Sequence, residues 1–183
     1  VAPMQRFDKA ALVTLFVGRL QERKRIDNLL RVSAALPQNL QPNLWIVGDG
    51  PARESLEALA EEIFPKARFL GKRHGAELDH IWAEADLFVL PGTGGLAVQE
   101  AMSHGLPVIV AKGDGTQDDL VRPENGWQIP PDDLDALRET LTIALNDLPR
   151  LRSMGAGSYR IVRDEINIEK MVEVFVEALG YAL

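Results

Sequence analysis

Short apolar runs and helical patterns alternate along this chain. ALVTLFVG (11–18), LWIVGDG (44–50), ARFLGK (67–72), DLFVLPG (86–92) and PVIVAKGDG (107–115) are rich in Val, Ile, Leu and Phe, and most close on glycine. Runs of that length and composition are predicted to be buried strands. Between them, RIDNLLRVSAAL (25–36), ARESLEALAEEIF (52–64), AELDHIWAEA (76–85) and LAVQEAMSHG (96–105) repeat apolar positions every three or four residues, as amphipathic helices do. Strand and helix in strict alternation imply parallel strands joined by right-handed crossovers. The expected fold is α/β: a doubly wound, Rossmann-like parallel sheet of about six strands with helices on both faces. GWQI (126–129) is the sixth strand, closed by Pro130 and Pro131. A helix over 132–147 follows, capped by Asp132 or Asp133, then a short LPRLRSMGAG segment (148–157) and an amphipathic IEKMVEVFVEALG (168–180).

Composition narrows the function classes. At 183 residues and 46% hydrophobic, the chain can bury a full core as one domain over residues 1–183. Nothing approaches the roughly 18 consecutive apolar residues of a membrane span, and the first ten residues carry no signal-peptide apolar stretch. A net charge of -7 argues against a broad grip on nucleic acid. The absence of Cys excludes disulfides and thiolate metal sites and fits a reducing compartment, so a cytoplasmic location is expected, with a peripheral position at the inner membrane face for the full-length protein. A start at Val1 with Pro3 close behind suggests a domain cut from a longer protein.

Candidate chemistry lies where the strands end, since ligands of doubly wound sheets bind outside the carboxyl ends of the strands. The loop PGTGGLA (91–97) leads into a helix whose first N–H groups and dipole suit phosphate oxygens, and its glycines admit a ligand without a Cβ in the way. Glu100 lies about 7 Å along that helix from Gly95, a distance that suits the diol of a ribose attached to the phosphate. GRLQERKRID (18–27) concentrates Arg19, Arg23, Lys24 and Arg25 in an acidic chain. Arg19 offers a planar fork to an anion and Lys24 a point charge, while Arg23 and Arg25 read as solvated loop residues. His74, in GKRHG, lies in a loop that could meet a base; His80 and His104 read as surface or helix-end residues.

In order and spacing these segments resemble the group-1 glycosyl transferase domain, the nucleotide-sugar-binding C-terminal half of retaining, family-4-like GT-B glycosyltransferases, from about Leu12 to about Asn146. The resemblance is carried by FVGRLQERKRIDNLL, LWIVGDGPARESLEALA, RFLGKRHGAELDHIWAEADLFVLP, GGLAVQEAMSHGLPVIVA and ENGWQIPPDDLDAL. It implies that Arg19 and Lys24 grip the donor diphosphate and stabilise its charge as the glycosidic bond breaks. Gly94, Gly95 and Leu96 would bind the same diphosphate through helix-start amides, and Glu100 the ribose. The loop at Gly71, Lys72 and Arg73 would meet the nucleobase. The reaction implied is transfer of a hexosyl group, with retention and without a metal or other cofactor, from a nucleoside-diphosphate sugar such as a UDP-sugar to a glycan or lipid-linked acceptor, in surface polysaccharide synthesis. An N-terminal acceptor domain would be the remaining partner, so the isolated chain is expected to bind donor without turnover.

One departure stands out. Where many relatives carry a glutamate at the sugar end of the donor, this chain has Gly92, and Gly94 replaces a common aromatic. Thr93 and Asp114 are the alternative groups for the sugar. The substitution also leaves open a catalytically silent nucleotide-sugar-binding module. A third reading takes DLFVLPGTGGLA as strand plus G-x-G-x-x-A, with Asp114 about 20 residues on, which would make the chain the NAD-binding domain of an oxidoreductase.

Overall fold

The computed structural model describes residues 12–113 and 115–166. Six parallel strands, β1 (Val13–Val17), β2 (Asn43–Val47), β3 (Arg68–Gly71), β4 (Leu87–Leu90), β5 (Val108–Ala111) and β6 (Gly126–Ile129), form one sheet in the order β3-β2-β1-β4-β5-β6. Five fall within the segments predicted from the apolar runs, and β2 begins one residue earlier, at Asn43. Every residue of β4 and β5 is buried, which is why these strands read as continuous apolar runs: both faces of a parallel sheet are covered by its crossover helices.

Helices α1 (Ile26–Ala35), α2 (Arg53–Ile63), α3 (Ala76–Glu84) and α4 (Leu96–Ser103) follow the first four strands as expected. A short α5 (Thr116–Leu120) was not foreseen, because five residues are too few to show a period. In α6 (Leu134–Asn146) the choice of cap is resolved: Asp133 Oδ1 accepts from the Ala136 N–H at 2.9 Å. Asp132 instead takes a left-handed φ of 58° and forms an ion pair with Arg25, itself at φ 53°.

The short segment expected at 148–157 is a correction. It belongs to an 18-residue helix, α7 (Leu148–Glu165). Asp147 caps it through the Arg150 N–H at 3.0 Å, Pro149 occupies a first-turn position, and Leu151, Met154, Ser158 and Ile161 give a buried stripe at helical spacing. Its two glycines are contact points. A Cβ on Gly155 would lie 2.2 Å from the Gly105 carbonyl oxygen, and one on Gly157 2.4 Å from that of Glu124. They let α7 lie directly on the backbone beyond α4 and before β6. The predicted helix over 168–180 lies outside the described residues, as does Asp114.

Candidate donor site at the strand ends

The order of strands reverses between β1 and β4, so their loops diverge to opposite faces and open a crevice at the centre of the sheet. The loop after β1 first runs against that of β2. Leu20 N–H donates to the Asp49 carbonyl and Ala52 N–H to that of Leu20, at 3.0 and 3.1 Å, and Gly48 N–H reaches the Gly71 carbonyl at 2.9 Å. A Cβ on Gly48 would fall 1.8 Å from the Gly18 oxygen, and one on Gly50 2.3 Å from the Leu20 oxygen. These glycines serve backbone packing, which ties three strand-end loops into one rigid floor.

Over that floor lies a cleft of about 520 Å³ whose walls include Arg19, Lys72, Arg73 and His74, with Asp49 as the one acid. Arg19 is exposed and has no ion-pair partner among the described residues. Arg73 is within 3.6 Å of Glu77, and His80 is exposed on α3 beyond the cleft. The structure thus brings Arg19 together with Lys72, Arg73 and His74.

Lys24 belongs to a second group. It ends a 3-10 turn (Glu22–Lys24) rather than starting α1, and the left-handed Arg25 reverses the chain into the helix. The Lys24 Nζ donates to the Thr93 carbonyl at 2.5 Å, and Thr93 N–H donates to the Arg23 carbonyl at 3.1 Å. Burial lowers the Lys24 pKa, and the neighbouring Arg23 charge lowers it further. Arg23 itself bonds Gln21 and reaches the Thr93 hydroxyl at 3.4 Å, and Arg25 is held by Asp132, so with Lys24 three of the four cations are engaged in fixing the loop.

The glycine loop is docked on this turn. A Cβ on Gly92 would lie 2.1 Å from the Arg23 carbonyl oxygen and 2.6 Å from the Lys24 Cα, and one on Gly94 2.3 Å from the Lys24 Nζ. Gly94 also has φ 146°, and its carbonyl accepts from the fully buried Gln117 at 2.8 Å. The absence of a side chain at position 92 therefore has a physical cause: the loop and the basic turn meet backbone to backbone there. Gly95 caps α4, and Leu96, 85% exposed, opens its first turn.

Glu100 is exposed on α4, and its Oε1 accepts a hydrogen bond from the Trp82 indole N–H at 3.1 Å. Trp82 and Gln117 carried no signal in the sequence: each is one residue on a helix, and only the packing of neighbouring elements gives it a partner. His104, expected to be a simple helix-end residue, stacks on Trp82 with centroids 5.5 Å apart. Among the described residues no three His, Cys, Asp or Glu side chains cluster as metal ligands, and no helix is long and apolar enough to cross a membrane.

Comparison with known proteins places the chain in a family and agrees with its fold. The family of group 1 glycosyl transferases matches residues 3–160, and the chain belongs to that family. It is 32% identical over 170 residues to a GDP-mannose-dependent monoacylated phosphatidylinositol monomannoside mannosyltransferase of Corynebacterium glutamicum, covering 85% of this chain and 44% of that protein. Among solved structures, sucrose-phosphate synthase from Thermosynechococcus elongatus is similar over 93% of this chain and 46% of its own, with a TM-score of 0.80 and 27% identity. Anabaena HepE in complex with UDP superposes with a TM-score of 0.82 at 21% identity, covering 94% of this chain and 49% of its own. The fold is thus that of one half of a GT-B glycosyltransferase, and the chain spans less than half the length of these relatives.

Proposed function

We propose that this domain holds the nucleoside-diphosphate sugar of a glycosyltransferase that moves a hexosyl group to a hydroxyl of a glycan or lipid-linked acceptor. The observation that carries the reading is the meeting of Lys24 with the loop that opens α4. A cation and a helix N-terminus converge there on one small volume, as binding and charge stabilisation of a diphosphate leaving group require. Arg19 supplies a second charge from the cleft, Lys72 and Arg73 line the wall where a base would rest, and Glu100 accepts from the ribose diol. Thr93 stands beside Lys24 at the sugar end. The UDP bound by HepE and the GDP-mannose used by the mannosyltransferase relative support a nucleotide-sugar donor. Retention of configuration, metal independence, a cytoplasmic location and a surface-polysaccharide role are parts of the same reading. An acceptor platform on a separate domain completes the site, so this domain alone binds donor without turnover.

A second reading is favoured by the packing at Gly92. The close approach of Arg23 leaves no space for an acid there, and a protein that lacks that acid can bind a nucleotide sugar without reacting it. Calorimetric titration with UDP, GDP and NAD tests donor class. Binding of either nucleoside diphosphate that weakens on Lys24→Ala is expected, whereas tight NAD binding with no response to UDP or GDP refutes both readings. A transfer assay on the intact protein then separates them.

A further inference from the structure

We propose that Trp82 is a positioning residue for donor recognition, aiming the Glu100 carboxylate at the ribose. This rests on the role given to Glu100 above. A glutamate on an exposed helix face has three rotatable bonds and, left to itself, samples many directions. Here one of its oxygens is anchored: Glu100 Oε1 lies 3.1 Å from Trp82 Nε1, across the gap between α3 and α4. The carboxylate can accept several hydrogen bonds, so its other oxygen stays available to a ligand.

The anchor is itself fixed. Trp82 is fully buried, and its ring packs against Phe88 of β4, at 5.7 Å and 49°, and against the His104 imidazole, stacked at 19°. His104 is held in turn by the Glu100 backbone carbonyl, 2.9 Å from Nδ1, with Asp79 3.8 Å from Nε2. The indole N–H therefore points in one direction set by the core. A phenylalanine would fill most of the same space and keep the stacking, but would offer no donor. An indole in this place converts a mobile surface acid into a pre-aimed acceptor, and so reduces the ordering cost that a diol ligand would otherwise meet.

The test measures affinities of the intact protein for UDP and GDP and for their 2′,3′-dideoxy forms, in wild type, Trp82→Phe and Glu100→Gln. Trp82→Phe should lower the preference for the hydroxylated nucleotide by about 2- to 10-fold and leave dideoxy affinity unchanged, because a lost anchor affects only the diol contact. A merely structural role would weaken both forms together. If Glu100→Gln abolishes the preference but Trp82→Phe leaves it intact, the positioning role is wrong and the Glu100 assignment stands. If wild type shows no preference, or binds neither nucleotide, the Glu100 assignment fails and this inference with it. A second measurement needs no change at Trp82: its indole N–H resonance, assigned by elimination with Trp45→Phe and Trp127→Phe, should move on Glu100→Gln and on nucleotide addition. Indifference to both overturns the proposal even if Trp82→Phe does not fold.

Discussion

The Nζ of Lys24 sits 2.5 Å from the carbonyl oxygen of Thr93, so the cation of the first crossover loop is fastened to the loop that opens the fourth helix. The two loops join opposite faces of the sheet at its topological switch point, and this bond bridges them. Replacing Lys24 by Ala removes a loop tie and, on the proposed function, a contact to the donor diphosphate. A charge-assisted hydrogen bond is worth about 1.5–3 kcal/mol, so UDP affinity should fall by at least an order of magnitude. Calorimetry measures the fall, and an unchanged affinity would show that Lys24 does not face the diphosphate.

The same lysine predicts a pH dependence. Burial and Arg23 favour its neutral form, so its pKa lies below 10.5, and the charge is lost earlier on the alkaline side than for an exposed lysine. Diphosphate affinity should be full at neutral pH and decline as pH rises through the depressed pKa. Binding should take up protons on the alkaline side, since an anion restores the charged form. For stability the sign is opposite: the unfolded lysine holds more protons, so raising pH toward 10.5 relieves a native-state penalty. Titrations at increasing pH should show the decline in wild type, and Lys24→Arg should flatten it.

Gly92 is predicted to resist restoration of an acid. Gly92→Glu or Gly92→Ala drives a Cβ into the Arg23 carbonyl, and overpacking of this kind costs typically about 1–3 kcal/mol. Both variants should lower the denaturation midpoint and weaken nucleotide binding by displacing Lys24. Improved transfer by Gly92→Glu, with stability intact, would contradict the backbone docking.

Asp86 is predicted to matter for stability rather than for ligand. Buried at the start of β4, its Oδ2 accepts from the Val13 N–H at 2.8 Å, while its own N–H donates to the Val13 carbonyl at 2.9 Å. This two-way clip aligns the central strands β1 and β4. Asp86→Ala strands a buried donor and should cost about 1–3 kcal/mol, and Asp86→Asn less, because an amide oxygen can still accept. Equilibrium urea unfolding distinguishes the two.

Gly155→Ala tests the seat of α7. Its methyl would meet the Gly105 carbonyl, so the helix must shift despite alanine's better intrinsic propensity. A lower thermal midpoint is expected. A gain in stability would show that propensity outweighs the contact.

The alternation of apolar runs and helical periods determined six parallel strands and the helices that follow the first four, because burial on both faces leaves its mark on every residue of the central strands β4 and β5. Ordered motifs pointed to the family and to Arg19, Lys24, the Gly94–Leu96 turn and Glu100. Other features depended on which backbones pass close together, and chain order does not display that. The glycines of PGTGG looked ligand-facing, yet Gly92, like Gly48 and Gly50, lies where neighbouring loops touch. LPRLRSMGAG looked like a short segment of its own, yet it opens an 18-residue helix whose glycines seat α7 on the backbone around Gly105 and Glu124. Trp82 and Glu100 are 18 residues apart on separate helices, and only the packing of α3 beside α4 brings an indole N–H to a carboxylate. Local pattern encodes what each segment buries; the tertiary fold alone decides which buried group meets which exposed one.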